Sequence, residues 1–240
     1  MRAPQLDNRL QAVMNMVRKG SRAADVGTDH GRLALQLVLS GKCPLVYATD
    51  INEAPLAKAQ KLAVRFGIED KMMCKLTNGL QGILANVIDD VIIAGMGAET
   101  IIEIMEDANW LKEESKRLIL VPAGKQEVLR SYLFRQGFYI KEELAVEAKG
   151  RVYAVMCVVY NGIIKEARVK DVYLGDIINQ HTEPARRYME KTLRIVKEER
   201  AGREQAITLE REKQRIENGK FNLDELLALE KEIEEVLRVW

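Results

Sequence analysis

Residues 23–31 read Ala23-Ala24-Asp25-Val26-Gly27-Thr28-Asp29-His30-Gly31, and a helical spacing follows in Leu33, Leu35, Leu37 and Val38. A short apolar run that ends in an acid and a glycine and then turns into a helix opens a βα unit. The pattern recurs down the chain. The run 45–49 ends in Asp50, 71–76 in Asn78-Gly79, 91–94 in Gly95-Met96-Gly97, and 117–121 in Pro122. Strands separated by helical patterns are expected to lie parallel. The late runs 138–144 and 152–160 have a short polar connection, Ala148-Lys149-Gly150-Arg151, so they read as an antiparallel hairpin. Ahead of all this, Leu6, Leu10, Val13, Met14 and Val17 fall on one helical face, with Asp7 placed as N-cap. The expected fold is α/β, a doubly wound, mostly parallel sheet closed by an antiparallel hairpin.

Such sheets bind ligands beyond the carboxyl ends of their strands. Here those ends carry acids, asparagine and glycines. Gly27 and Gly31 allow a tight turn and close approach of backbone to a ligand. The segment is not G-x-G-x-x-G, because Asp29 stands where a second glycine would. Asp25 and Asp29 together would repel a pyrophosphate, whereas an acid two residues before the first glycine suits the cationic amino-acid end of S-adenosylmethionine (SAM). Asp50 either accepts hydrogen bonds from the two hydroxyls of an adenosine ribose or caps the helix that Asn52 and Pro55 begin. Asn78 either bonds an adenine ring or forms an Asn-Gly turn. Gly95-Met96-Gly97 lies beside the first strand, where a transferred methyl group would arrive, or else makes a plain tight turn. The cofactor set read from the strand ends is Asp25, Gly27, Thr28, Gly31, Asp50, Ile51, Asn52, Asn78, Gly79, Gly95, Met96 and Gly97.

Composition bounds the partners. The chain has 37 Lys+Arg against 36 Asp+Glu, which excludes a uniformly basic nucleic-acid binder but not local patches. Arg2, Arg9, Arg18, Lys19, Arg22 and Arg32 gather in sequence around the first helix and first loop. Cys43, Cys74 and Cys157 form no paired motif, and two histidines complete no zinc-ligand set, so no metal is expected. The absence of a signal-like or 18-residue apolar run points to a soluble, cytoplasmic chain with no membrane partner.

Residues 163–240 differ in character and read as a second, helical domain after a first domain of 1–162. Thr182-Glu183-Pro184 starts a helix, in which Tyr188, Ile195, Gly202, Leu209 and Ile216 recur every seven residues, with a weaker seam at Thr192, Glu199, Ala206 and Lys213. Asn218-Gly219-Lys220 interrupts it. Leu226, Leu229, Ile233, Val236 and Trp240 then follow a 4-3 spacing. An antiparallel helical coiled-coil hairpin is expected. Residues 186–215 hold ten basic and six acidic side chains, and 216–240 hold three and seven. A basic helix facing an acidic one favours pairing within the chain, and moves the expected nucleic-acid contact towards the N-terminal arginines.

The sequence resembles the bacterial tRNA (adenine-N1)-methyltransferases acting on position 22 of the D-loop, the TrmK family. The likeness runs over essentially the whole chain. It is carried by Leu6-Asp7-Asn8-Arg9-Leu10, by Ala24 to Gly31, by Asp50-Ile51-Asn52 with Pro55-Leu56, by Ile93 to Gly97, and by Leu118-Ile119-Leu120 with Leu129-Arg130 and Leu133. The resemblance implies a Rossmann-like SAM-dependent methyltransferase, SAM as cofactor and tRNA as partner; it does not imply a partner protein. It points to Asp29 as the catalytic residue; the alternative is that Asp29 caps the next helix. Arg9, Arg18, Arg22 and Arg32 are the expected tRNA contacts. Two departures stand out. Asn78 replaces the family's aspartate, and Val121-Pro122-Ala123 replaces Gln-Pro-Asn. They keep open an enzyme acting on another RNA or a small molecule. A non-catalytic nucleoside-binding module, with the helices as a partner-binding arm, is the rival of a different class.

Overall fold

The computed structural model describes residues 3–207 and 221–240. Seven strands are formed: β1 (Ala23–Val26), β2 (Val46–Asp50), β3 (Met72–Leu76), β4 (Asp90–Ala94), β5 (Arg117–Val121), β6 (Phe138–Ala148) and β7 (Arg151–Tyr160). They make one sheet in the order β3-β2-β1-β4-β5-β7-β6. The first five are parallel, and β7 runs antiparallel to both β5 and β6. This is the mostly parallel sheet with a closing hairpin that the strand spacing predicts, and it is Rossmann-like as the resemblance implies. The helices are α1 (Asn8–Met16), α2 (Arg32–Leu39), α3 (Glu53–Phe66), α4 (Ala98–Asp107), α5 (Gln126–Arg135), α6 (Val169–Tyr173), α7 (Glu183–Ile207) and α8 (Leu223–Arg238).

The inner strands are apolar throughout because both faces of the sheet are covered. Side chains alternate between them. Val91, Ile93, Leu118 and Leu120 join α4 and α5 on one face; Ile92, Ile119 and Val121 join α1, α2 and α3 on the other. Asp7 caps α1 as expected, its side chain accepting from the Leu10 N–H at 3.0 Å. The hairpin differs from the sequence reading. Its strands run to Ala148 and from Arg151, leaving a two-residue turn, Lys149-Gly150, in place of a four-residue connection. Both turn residues have positive φ, 51° and 74°, the pattern whose twist matches paired strands. A register shift between Ile140 and Glu142 lets β6 keep Ile140 and Ala145 on one face while Leu144 serves the other.

The C-terminal helices continue the core. One apolar cluster runs from Ile93 and Leu120 through Leu133 to Tyr173, Ile177, Tyr188, Leu226 and Ile233. At its centre, Arg130 and Glu143 are fully buried and 2.7 Å apart. Arg130 also donates to the carbonyls of Val172 and Tyr173 and to the Tyr188 hydroxyl, and Glu143 accepts from the Asp176 N–H at 3.1 Å. Burial alone would lower the Arg130 pKa, but the Glu143 carboxylate and Tyr188 outweigh it and keep the group above its ordinary value.

Beyond this root α7 and α8 lie antiparallel: Lys197 pairs with Glu234 at 2.7 Å, while Arg200, one turn on, pairs with Glu230 at 2.9 Å. The basic helix does face the acidic one. Thr182 accepts from the Ala185 N–H, and Asn222 with Glu225 forms a reciprocal capping box at the start of α8. The buried face of α7 is Ala185, Tyr188, Met189, Thr192 and Val196, so Thr192 belongs to the main seam and Ile195 is only half-buried. Positions 209, 213 and 216 and the 218–220 interruption lie outside the described residues. Trp240 falls past the end of α8 and stacks on His181, ring centroids 5.7 Å apart.

Candidate functional site

Parallel pairing brings the carboxyl ends of β1 to β5 to one edge, and the residues singled out at those ends meet there. The β1 end is the most elaborate. Asp25 is buried, with 4% of its surface exposed, and accepts from the Thr28 hydroxyl at 2.6 Å. Burial pushes its carboxyl up to about 6, against the opposing pull of the Thr28 hydroxyl and the Ala34 backbone N–H. Gly27 and Thr28 both donate from the backbone to Thr49 O, which closes the turn onto β2. Gly27 has φ +70°, and a Cβ there would run into Met96 Cε, so the first and fourth strand ends touch at this point.

Asp29, His30 and Gly31 follow with φ of 35°, 69° and 71°. Three successive left-handed residues, two of them not glycine, form a strained segment. Its result is to throw the Asp29 side chain outward, 89% exposed, with Oδ1 3.4 Å from His30 Nε2. Asp29 does not cap α2; that place belongs to Gly31, and no side-chain cap bond is formed. Gly31 itself is buried. A Cβ on it would lie 2.7 Å from Ala59 Cβ, so its glycine serves the packing of the loop on α3.

At the end of β2, Asp50 Oδ1 accepts from the Asn52 N–H at 2.8 Å. Ile51 stands between them with 66% of its surface in water, an apolar side chain offered to solvent beside a carboxylate. Asn52 occupies the N-cap position of α3 without a side-chain cap bond. Asn78 is exposed at the end of β3, and Gly79 is buried against Ile104, its carbonyl taking the Thr49 hydroxyl at 3.1 Å. Both also line a second cavity with Ile104, Asp107 and Trp110. Gly95, with φ +96°, and Gly97 are exposed at the end of β4, and Met96 accepts at its carbonyl from Ala123. Of the two positions that depart after β5, Val121 is buried in the core and only Ala123 reaches the rim.

The four arginines divide. Arg9 lies against Gly95, a Cβ there falling 3.0 Å from its Nη1, and over the Tyr153 ring at 5.3 Å. Arg32 is exposed at the start of α2. A cavity of about 320 Å³ contains both, together with Leu6, Asp25, Gly27, Thr28, Asp29 and Ala94. Arg18 and Arg22 do not join them. They precede β1 and so sit at the opposite edge of the sheet. There Arg18 bonds Asp90 and the carbonyls of Asp89 and Ser115, and Arg22 pairs with Asp89 at 2.9 Å. Nearness in sequence to the glycine loop placed them wrongly, because a strand separates the two ends. Among the described residues no cluster fit to hold a metal ion occurs, and no helix is long and apolar enough to cross a membrane.

The profile of a family described as "Methyltransferase domain" matches residues 6–156. The chain belongs to the methyltransferase-domain family. The tRNA (adenine(22)-N(1))-methyltransferase of Bacillus subtilis is 29% identical over 151 residues, which is 63% of each chain. The crystal structure of Streptococcus pneumoniae Sp1610, described as a candidate tRNA (m1A22) methyltransferase, is 28% identical. It superposes with a TM-score of 0.77 over 97% of this chain and 100% of that one. The same Sp1610 in complex with S-adenosyl-L-methionine gives 27% identity and a TM-score of 0.75, over 95% and 98% of the two chains.

The methyltransferase domain contains parts of the cleft that sequence reasoning missed. Thr49 is fully buried and ties three strand ends together through its carbonyl and hydroxyl. Lys149, at the hairpin turn, lines the cavity and points its ammonium at Asp7, 3.9 Å away. Tyr153, three residues beyond the turn, carries the Arg9 guanidinium. A signal for the last two existed. A strand antiparallel to β5 must begin where β5 ends, so the turn of a closing hairpin rises over the ligand edge.

Proposed function

We propose that this protein transfers a methyl group from SAM to N1 of an adenosine in tRNA, at D-loop position 22 as in the relatives so named. The observation that carries the reading is the pairing of a buried Asp25 and a half-exposed Asp50-Ile51 at adjacent strand ends, with Asp29 thrown outward between them and the substrate side.

The donor set fits SAM. Asp25 would face the ammonium of the amino-acid end, Gly27 and Thr28 its backbone, Asp50 the ribose hydroxyls, and Ile51 with Asn52, Asn78 and Gly79 the adenine. Gly95, Met96 and Gly97 would border the transferred methyl, with Gly31 shaping the loop from behind. SAM, when bound, supplies a methyl group activated on a sulfonium cation. Adenine N1 carries a free lone pair at neutral pH, so no base is needed to remove a proton first. Methylation turns the ring cationic, and a carboxylate beside it stabilises that charge and accepts from the exocyclic amine. Asp29 fills this role in our reading. Alignment of the lone pair behind the methyl is the remaining requirement.

The base must leave its stack to enter, at a cost of a few kcal/mol that contacts elsewhere offset. Arg9 and Arg32 are the arginines we assign to the RNA. We read residues 1–162 as the catalytic unit and 163–240 as a helical unit braced on it. A tRNA substrate would place the protein in the cytoplasm. Ala123 at the rim is the observation that favours a second reading, a different RNA base pocket within the same chemistry.

The test is methyl transfer from SAM to an unmodified tRNA transcript, with the product mapped by mass spectrometry. We expect 1-methyladenosine at position 22. Methylation at another nucleotide would support the second reading, and no transfer despite SAM binding would remove the tRNA assignment.

A further inference from the structure

The tip of the β6–β7 hairpin is fixed from more directions than a two-residue turn requires. Arg187 of α7 pairs with Glu147 at 2.5 Å and donates to the Gly150 carbonyl at 3.2 Å. From the other side, Asn8 of α1 donates to the Glu147 carbonyl at 3.3 Å. The first turn residue is lysine, at φ 51°, where glycine, asparagine or aspartate are at ease. The Lys149 side chain is 79% exposed and rests by Asp7 at the mouth of the cavity that holds Asp25, Gly27 and Asp29.

We propose that Lys149 takes a backbone phosphate of the RNA substrate at the mouth of the cleft, and that Arg187 is the positioning residue that holds the turn in place from the C-terminal helices. The assignment rests on the RNA substrate proposed above and deepens it. A nucleotide turned out of its stack brings its own phosphates to the mouth of the pocket. An ammonium on a flexible stem is suited to a phosphate whose place shifts as the base enters. Lys149 stands at the rim, in water, where releasing counterions from RNA drives binding. The Arg9 guanidinium lies deeper, against Gly95, nearer the strand ends. Asp7 is the resting partner that a phosphate displaces.

The experiment measures kcat, KM and the salt dependence of binding with the unmodified tRNA transcript, together with SAM affinity, for the full chain and for K149A, K149R and R187Q. We expect K149A to raise KM roughly three- to tenfold and to flatten the slope of log affinity against log salt by about 0.7–0.9, the share of one phosphate. Its kcat should change less than twofold, its SAM affinity not at all, and K149R should restore most of the loss. R187Q should raise KM with the salt slope kept. A slope that falls in R187Q as well would make Arg187 a phosphate contact and end its positioning role. Wild-type KM and slope in K149A would overturn the assignment while leaving the RNA reading intact. Loss of SAM affinity in K149A would hand the lysine to the cofactor's carboxylate instead. A wild-type chain that binds SAM but neither binds nor methylates the transcript would overturn both.

Discussion

Arg130 and Glu143, at the root of the C-terminal helices, have given up water entirely and turned to each other, to Tyr188 and to backbone. Asp29 and Lys149, at the rim of the cleft, keep most of their side chains in solvent and sit on backbone bent into the left-handed region. Both regions join distant parts of the chain, but they hold charge differently. At the root each polar atom named has a partner inside the protein, so the charge serves to fix one geometry. At the rim the carboxylate and the ammonium stand mostly in water on left-handed backbone, Asp29 beside His30 at 3.4 Å and Lys149 beside Asp7 at 3.9 Å. A charge whose bonds are all made inside the protein is unavailable to a ligand.

The contrast can be broken most severely at the root. Glu143→Ala leaves the Arg130 guanidinium buried and unpaired, and we expect a loss of about 3–5 kcal/mol in denaturant unfolding. Replacing the pair together, as Arg130→Met with Glu143→Leu, should cost much less. If the single and double changes cost the same, the pair is not acting as a unit.

At the rim the prediction is reversed, with function lost and stability kept. Asp29→Ala should lower single-turnover methyl transfer about 100-fold, the scale seen when one transition-state hydrogen-bonding group is removed. SAM affinity and the melting temperature should hold. Relief of left-handed strain is not expected, since alanine is no better there than aspartate. Unchanged turnover with retained SAM binding would remove Asp29 from catalysis.

Asp25 lies between the two cases, buried like the root but placed at the site. Its folded pKa of about 6 exceeds the ordinary value of about 4. Between those values the folded form holds the proton while the unfolded form has released it. The sign follows: this group stabilises the fold as pH falls from about 6 to about 4, and that stabilisation is lost as pH rises back through the window, on the order of 2–3 kcal/mol in all. Asp25→Asn should remove that slope from the stability–pH curve. Asp89 acts elsewhere, since Arg22 holds it down to about 2 and its contribution is lost only below about pH 4. In our reading SAM's ammonium needs the ionised form, so SAM affinity in the wild type should weaken below pH 6. A pH-independent SAM affinity would argue against that contact.

The smallest effect is expected at the half-buried charge pairs along the two C-terminal helices. Lys197→Ala or Arg200→Ala, across the α7–α8 seam, should each cost under about 1 kcal/mol, and less in high salt.

The parts of this molecule that could be read in advance were those written in local pattern. Short apolar runs located β1 and β5 to the residue and β2, β3, β4 and β7 to within one, while β6 runs four residues further than its apolar run, and Asp7 announced the start of α1. The strand ends came with them, and with those ends Asp25, Gly27, Thr28 and Asp29 of the cleft. Harder to read was whatever depends on register between distant segments. Arg130 reaches Glu143 and Tyr188 across 13 and 58 positions, and nothing near any of the three marks the partnership. Backbone conformation was also hidden. Aspartate and histidine in Asp29-His30 give no sign that both adopt positive φ, so the outward aim of Asp29 emerges only from the folded loop. Arg18 and Arg22 show the opposite error, in which closeness along the chain stood in for closeness in space.

The two-residue turn of the hairpin has one more consequence. A sheet tolerates added residues at its turns and almost nowhere else, because every other position is tied into the ladder or the core. In this fold one of those permissive points overhangs the edge that carries the cleft. Insertions or exchanges at Lys149-Gly150 therefore alter what the cleft presents to an incoming substrate without disturbing a single buried side chain, which gives such a protein a route to new targets on an unchanged frame.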